Sequence, residues 1–305
     1  MPINIPDKLP AIELLKKENI FAIGISHASK QDIRPIRLAL LNLMPLKITT
    51  ETDLVRVLSN SPLQVELDLI SLKSHTSKNT PIEHIREFYI DFEQIRNQKY
   101  DGLIITGAPV ELLKFEHVNY WQEIAGIFDW AKTHVTSSLF ICWSAQAALY
   151  HYYGIPKYPL DKKMFGAFEH KVNDPLNPLF RGFDDVFFAP HSRHTEVKRQ
   201  DIEKVPELTI LSESDEAGVY AVIAREGREV FITGHSEYAP ETLDNEYKRD
   251  LAKKLPIEIP KNYYIDNDPS KSTVVRWRSH ANLLFSNWLN YFVYQVTPYY
   301  IDSIH

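Results

Sequence analysis

Short apolar runs alternate with amphipathic stretches through the first half of this chain, and this alternation constrains the fold more than any other feature. The apolar runs, each of a length suited to one buried strand, cover residues 36–43, 65–72, 103–106 and 138–141. The stretches that follow them have helical spacing and cover residues 49–58, 81–96, 120–132 and 144–152. Strands that alternate with helices pair in parallel, because each helix returns the chain to the same end of the sheet. The sequence therefore predicts an α/β fold, a three-layer sandwich with a mostly parallel sheet and helices on both faces.

The second half of the chain is richer in strands. Further strands are predicted at residues 186–189, 208–211, 219–224 and 230–233, a charged helix at 241–254, and an aromatic helix that begins near 280 and includes 288–294. Residues 1–35 have the pattern of an extended, Pro-punctuated arm. We therefore expect an N-terminal arm over residues 1–35, then one α/β domain over residues 36–305 that ends in a helical extension.

Composition argues against several classes of protein. The 305 residues include 34 Lys and Arg against 40 Asp and Glu, without a basic stripe, so a nucleic-acid partner is not expected. Apolar runs fall short of the roughly 20 residues that a membrane span needs, and the first residues lack a signal-peptide pattern. We therefore expect a cytoplasmic protein without membrane contact. A single cysteine excludes an internal disulfide, and His191 and His194 lack a third ligand, so we expect no metal site.

The single cysteine, Cys142, stands where a buried strand meets a helix. Small residues follow it at Ser144, Ala145 and Ala147, and they allow the sharp turn of a nucleophile elbow to pack closely. A thiol at a helix N-terminus gains from the helix dipole, which favours the reactive thiolate. The backbone amide of Trp143 would point to the place where an oxyanion forms.

A histidine and a glutamate follow the predicted strand at 230–233. His235 and Glu237 are two residues apart, so side chains at the end of that strand would project the same way. A carboxylate in this position can fix the tautomer of the imidazole and stabilise its protonated form. A lone histidine is more often a structural core residue, but this pattern favours a Cys-His-Glu triad.

Two strings from these segments resemble the homoserine O-acyltransferases of methionine biosynthesis, Cys-Trp-Ser-Ala-Gln-Ala at 142–147 and Gly-His-Ser-Glu-Tyr at 234–238. The resemblance extends over nearly the whole chain, through strings at residues 41–45, 61–64, 106–111, 163–166, 190–193 and 276–280. It implies a class I glutamine-amidotransferase-like, flavodoxin-like fold. It also implies a homodimer and an acyl-coenzyme A as a substrate, and we expect no cofactor.

The resemblance also implies roles for individual residues. Cys142 would accept the acyl group as a thioester, His235 would act as the general base, and Glu237 would orient it. The family binds its amino-acid acceptor with residues that match Lys163, Ser192 and Arg249 here. Lys47 matches a position near the active site, where it would neutralise developing negative charge; the alternative is a solvated lysine at a helix start.

Glu111 is the position that bears on the acyl donor. In the family a glycine here accompanies succinyl donors and a glutamate accompanies acetyl donors, and a carboxylate in the acyl pocket would repel the second carboxylate of a succinyl group. We therefore expect acetyl-CoA. For the acceptor, the family favours L-homoserine. L-serine is the alternative, because Ser144 replaces the usual glycine of the elbow and would narrow the space near the nucleophile.

Two other classes of function share these features. A glutamine amidohydrolase has the same fold and the same kind of triad, although it usually delivers ammonia to a synthetase partner or domain, and none is fused here. A non-enzymatic regulator on the same scaffold would not need an intact triad. The sequence favours the acyltransferase over both.

Overall fold

A mixed sheet of ten strands lies at the centre of the computed structural model, which describes residues 3–5, 22–24, 34–75 and 79–305. In chain order these strands are β3 (Ile36–Leu41), β4 (Val65–Ser71), β5 (Tyr89–Asp91), β6 (Tyr100–Ile105), β7 (Val135–Ile141), β8 (Tyr158–Val172), β9 (Val186–Glu196), β10 (Leu208–Ser214), β11 (Gly218–Ala224) and β12 (Glu229–Ile232). Across the sheet the order is β5-β4-β3-β6-β7-β12-β11-β10-β8-β9. In this sheet order the six strands from β5 to β12 are parallel to one another. The pairings of β12 with β11, β11 with β10, β10 with β8 and β8 with β9 are antiparallel.

The central strands are buried on both faces. In β3, Leu38 and Leu40 pack into the core on one face of the sheet, whereas Ala39 and Leu41 pack into the core on the other. Successive side chains of a strand point to opposite faces, so a strand covered on both sides must be apolar throughout. This explains why the run at 36–43 predicted a strand of the parallel sheet, and the prediction is confirmed.

The helices cover both faces, as expected. They are α1 (Lys47–Leu58), α2 (Ile82–Phe88), α3 (Phe92–Ile95), α4 (Trp121–His134), α5 (Trp143–Tyr153), α6 (Arg199–Ile202), α7 (Thr242–Ala252) and α8 (Arg278–Asn287), and α8 continues as a π-helical segment over Trp288–Tyr294. Residues of α4 and α5 pack in one core, and residues of α1, α7 and α8 pack in the other. Among the residues that the structure describes, short 3-10 turns lie at Phe115–His117, Pro178–Phe180, Arg225–Gly227, Ile265–Asn267 and Ile301–Ser303.

Two elements differ from the predictions. The helix predicted over 81–96 is interrupted, because Tyr89–Asp91 pairs with β4 at the edge of the sheet and separates α2 from α3. The 15-residue strand β8 was not predicted at all. Its sequence includes Asp161 and Lys162 and does not alternate, and most of its pairing is antiparallel to β9, the next strand along the chain.

The predicted N-terminal arm, residues 1–35, lies largely outside the described residues. Within it the structure describes two short strands, β1 (Ile3–Ile5) and β2 (Ala22–Gly24), which pair in parallel. Within the part of the chain that the structure describes, no helix combines the length and the apolar character that a membrane span requires.

Candidate active site

Cys142 forms the turn between β7 and α5. Its backbone has φ 55° and ψ −113°, a conformation that is rare for a residue with a side chain and that marks a strained elbow. The amide of Cys142 donates to the carbonyl of Ile232 at 2.7 Å, which extends the parallel pairing of β7 with β12 by one residue. The predicted nucleophile therefore stands at the carboxyl end of a central strand, at the N-terminus of a helix.

Ser144 holds this turn in place from the side of the sheet. Its Oγ accepts the backbone N–H of Ile141 at 2.9 Å and donates to the carbonyl oxygen of Ile105 at 2.6 Å. The residue is fully buried. The expectation that Ser144 narrows the acceptor space is therefore wrong, because its hydroxyl group binds the ends of β6 and β7 instead of facing the nucleophile.

His235 and Glu237 follow β12, the strand next to β7. Nδ1 of His235 lies 2.7 Å from Oε1 of Glu237, and Cβ of Cys142 and Cε1 of His235 both face the backbone of Gly107. Burial lowers the pKa of His235, but the charges of Cys142 and Glu237 and the hydrogen bond to Glu237 raise it by more, so that it lies well above its ordinary value. The raised pKa favours a protonated imidazole beside the thiol.

Gly107, at the end of β6, leaves the space in front of the thiol and the imidazole open. A Cβ atom at this position would lie 3.2 Å from Cβ of Cys142 and 3.3 Å from Cε1 of His235. These two atoms therefore flank one small volume, and the glycine keeps it free of protein atoms. Gly107 belongs to the motif at 106–111, but its spacing along the chain does not by itself mark it as a site residue.

Tyr238 connects the triad to the rest of the site. Its ring stacks on that of His235 with centroids 4.1 Å apart. Burial raises its pKa well above the ordinary value, and the charges of Glu246, Glu237, Cys142 and Glu111 raise it further. Tyr238 therefore stacks on the imidazole and lies within electrostatic range of the carboxylates of Glu111 and Glu246.

The three predicted acceptor-binding residues converge on Glu246, which the sequence analysis missed. Nζ of Lys163 lies 2.7 Å from one carboxylate oxygen, Nη2 of Arg249 lies 3.3 Å from the same oxygen, and the hydroxyl of Ser192 donates to the other at 2.8 Å. The side chains come from β8, β9 and α7. The available signal was the Glu-x-x-Arg spacing, which places Glu246 and Arg249 on one face of a helix.

Lys47 is the first residue of α1, not a residue before the helix as predicted. It is buried, donates to the carbonyl oxygen of Asn42 and lies over the ring of Tyr89. Burial lowers its pKa to about 8, opposed by the charge of Glu51. The interpretation as a solvated lysine is therefore wrong. Lys47 follows β3 at the same edge of the sheet as the triad, and its role in catalysis stays a prediction.

Trp143 and Glu111 take different positions around the elbow. The Trp143 side chain is fully buried and packs near Phe115 and Tyr120. Its backbone N–H is the first of α5 and has no helical carbonyl partner, so it is available to an oxyanion. Glu111 is half-buried. Burial raises the pKa of Tyr120, and the negative charge of Glu111 raises it further.

His191, considered above as a metal ligand, pairs with another histidine. Its Nε2 lies 3.0 Å from Nε2 of His170, and Nε of Arg193 donates to its Nδ1 at 3.3 Å. Burial is the main cause that lowers the pKa of both histidines, that of His170 to about 3. These neutral, buried rings pack behind the loop at Gly234 and support the strand ends that hold the triad.

Comparison with known proteins identifies the family. The model of the family described as homoserine O-succinyltransferase matches residues 2–299. Curated relatives named homoserine O-acetyltransferase include those of Bacteroides thetaiotaomicron, 72% identical over the whole of both chains, and Acetivibrio thermocellus, 60% identical over the whole of both chains. That of Brevibacillus brevis is 60% identical over 99% of each chain.

Solved structures with the same fold are glutamine amidotransferases. One from Thermotoga maritima has a TM-score of 0.57 and 14% identity over 86% of this chain and 99% of its own. Another, from Methylobacillus flagellatus, has a TM-score of 0.52 and 10% identity over 85% of this chain and 95% of its own. At this identity the likeness extends to the fold alone, and it confirms the predicted class I glutamine-amidotransferase-like sandwich.

Proposed function

The chain belongs to the homoserine O-succinyltransferase family, and we propose that it transfers an acetyl group from acetyl-CoA to the hydroxyl group of L-homoserine. The observation that supports this most is the arrangement at the carboxyl ends of the strands, where His235 is paired with Glu237 and faces the same backbone position, Gly107, as the nucleophile Cys142. The product, O-acetyl-L-homoserine, would serve methionine synthesis. The reaction uses acetyl-CoA as a substrate and needs no further cofactor.

In the first half-reaction, the thiolate of Cys142 attacks the thioester carbonyl of acetyl-CoA. The new carbon–sulfur bond leaves negative charge on the carbonyl oxygen, where the N–H of Trp143 is placed to donate. When the tetrahedral intermediate collapses, the bond to the CoA sulfur breaks and the imidazolium of His235 protonates the departing thiolate. The products are acetyl-Cys142, free CoA and a neutral imidazole.

In the second half-reaction, the neutral imidazole of His235 removes the hydroxyl proton of the acceptor as its oxygen attacks the acetyl carbon. The bond to the sulfur of Cys142 then breaks, which releases the ester and restores the thiolate beside a protonated imidazole. Glu237 stabilises the imidazolium in both halves through its contact with Nδ1. Because the two substrates react in turn at one thiol, we expect ping-pong kinetics.

The charges around Glu246 fit an amino acid, which is a zwitterion at neutral pH. The guanidinium of Arg249 and the ammonium of Lys163 would bind the α-carboxylate, while the carboxylate of Glu246 would bind the α-ammonium group. Ser192 would donate to the substrate in place of its present bond to Glu246. Glu246 contacts all three of these side chains, so a bound substrate would form ion pairs in exchange for the existing ones.

Glu111 supports an acetyl donor over a succinyl donor. A succinyl group would bring its free carboxylate toward a site that already holds the carboxylates of Glu111, Glu237 and Glu246, all of which act on Tyr238. Like charges at short range in a poorly solvated site repel strongly. The relatives at 60–72% identity are named for acetyl transfer, although the family model is described by succinyl transfer.

L-homoserine is favoured over L-serine as the acceptor. The argument for serine depended on a hydroxymethyl group near the nucleophile, and the Ser144 hydroxyl is bound to the sheet instead. The relatives are named for homoserine. A free cysteine nucleophile is maintained in a reducing compartment, which fits the cytoplasm that we propose. A homodimer stays a proposal that sedimentation can test.

Mass spectrometry of the intact protein tests this function. After mixing with acetyl-CoA, the wild type should gain one acetyl group, the Cys142→Ala variant should gain none, and L-homoserine should remove the group faster than L-serine. Glu111→Gly should acquire the ability to use succinyl-CoA, whereas the wild type should prefer acetyl-CoA. Absence of the acetyl adduct, or release of ammonia from glutamine by the unacylated protein, would overturn the proposal in favour of an amidohydrolase.

A further inference from the structure

Glu111 stands on a loop that has little packing of its own. Between β6 and the 3-10 turn at Phe115, the side chains of Leu112 and Leu113 are 72% and 46% exposed. Within the loop, the amide of Val110 donates to Ala108 and that of Leu113 donates to Val110. Val110 and Phe115 pack on the core at the two ends of this stretch, while the residues between them have only local backbone bonds. The position of Glu111 therefore depends in part on contacts from outside the loop.

Lys157 supplies such a contact. Its ammonium group donates to the backbone carbonyl oxygen of Glu111 itself and, at 2.7 Å, to that of Leu113. The same ammonium group lies 4.4 Å from the centre of the Phe115 ring, which is buried. One side chain therefore contacts three residues of the loop, two through carbonyl oxygens and one through an aromatic face.

The backbone of Lys157 is positioned by the capped C-terminal end of a helix. It follows the end of α5, where Gly154 adopts φ 68° and donates to Tyr150, and Ile155 donates to Leu149 in the pattern of a Schellman cap. The next residue, Tyr158, begins β8. Because Cys142 is the residue immediately before α5, the helix that presents the nucleophile also sets the backbone position of Lys157.

We propose that Lys157 is a positioning residue for acyl-donor selection, which holds the Glu111 backbone so that its carboxylate faces the acyl group. This inference rests on the proposed function and extends it to a residue outside the triad and the acceptor cluster. Lys157 does not touch the reacting atoms. It acts through Glu111, whose charge reaches Tyr120 and Tyr238 on the inner side of the loop.

The test is the ratio of kcat/KM for acetyl-CoA to that for succinyl-CoA. Lys157→Met keeps the length of the side chain but removes the ammonium donor, and it should lower this ratio by roughly tenfold. Lys157→Arg retains two or more donors and should keep the ratio within about threefold of the wild type. The matched control is Lys162→Met, which removes an exposed ammonium group that pairs with Glu258 at the surface; its ratio should not change.

A double-mutant cycle shows whether Lys157 affects the ratio by positioning Glu111 or by stabilising the loop as a whole. If Lys157 acts through Glu111, then Lys157→Met should change the ratio in the wild type but not in Glu111→Gly. The KM for the amino-acid acceptor should stay within about twofold of the wild type in every variant that folds. An equal effect of Lys157→Met on the ratio in both backgrounds would overturn the inference. So would a ratio that Lys157→Met leaves unchanged, provided that the wild type is readily acetylated. A wild type that forms no acetyl adduct would instead contradict the proposed function.

Discussion

Oε1 of Glu237 lies 2.7 Å from Nδ1 of His235, while the other carboxylate oxygen of Glu237 is buried and has no hydrogen-bond partner among the described residues. The charge of Glu237 is therefore directed at the imidazole. Glu237→Gln would keep the shape, but an amide can present its NH₂ group to Nδ1 and select the wrong tautomer. We expect the rate of Cys142 acetylation to fall by about 10² to 10⁴. Rapid-quench measurement of the acetyl adduct checks this, and a rate within threefold of the wild type would contradict it.

The role assigned to Glu246 separates the two half-reactions. Glu246→Gln removes the charge that would bind the α-ammonium group, so the KM for L-homoserine should rise by about tenfold or more. Acetylation of Cys142 by acetyl-CoA in the absence of acceptor should continue at close to the wild-type rate. The control is Glu241→Gln, on an exposed residue just before the same helix. Slower acetylation together with an unchanged KM would be the opposite of this expectation.

Ser144 should matter for stability and not for the choice of acceptor. Ser144→Ala leaves the N–H of Ile141 and the carbonyl of Ile105 without their present partner inside the protein. We expect the free energy of unfolding to fall by about 1–3 kcal/mol. The ratio of kcat/KM for homoserine to that for serine should stay the same. Urea denaturation and acceptor kinetics measure the two quantities, and a shift of the ratio toward homoserine would show that the hydroxyl narrows the acceptor site after all.

Lys47 should destabilise the fold at neutral pH. Its pKa falls from 10.5 to about 8 because burial penalises the charged ammonium group. Between these two values the unfolded chain binds more protons than the folded protein, so the stability due to this residue rises with pH. Relative to Lys47→Met, the wild type should gain up to about 3 kcal/mol between pH 8 and pH 10.5.

Thermal or urea unfolding of both proteins across this range measures the effect of Lys47. Other titrating groups are common to the two proteins and cancel in the difference. Below pH 8 the difference should be constant, because Lys47 is then charged in both states. A difference that also stays constant up to pH 10.5 would mean that the ammonium group is not buried in solution.

The central part of the fold was predictable because its determinants are local. A strand buried on both faces must be apolar at every position, as in Ile36–Leu41, and a sharp turn into a helix requires small residues after Cys142. The pattern failed for Tyr158–Val172, because this strand is partly exposed and its sequence shows neither a continuous apolar run nor a regular alternation. It also failed for Tyr89–Asp91, which adopts an extended backbone to pair with the edge of β4.

The sequence by itself determined the chemistry that is available: one thiol at an elbow, a histidine two residues before a glutamate, and a carboxylate at residue 111. Only the tertiary structure decided which of these groups meet. It placed Glu246 among Lys163, Ser192 and Arg249, directed the Ser144 hydroxyl into the sheet, and brought Lys157 to the loop of Glu111. The physical reason is that spacing along the chain controls side-chain direction only within one helix or strand. Contacts between elements depend on how the sheet is ordered and how its faces are packed.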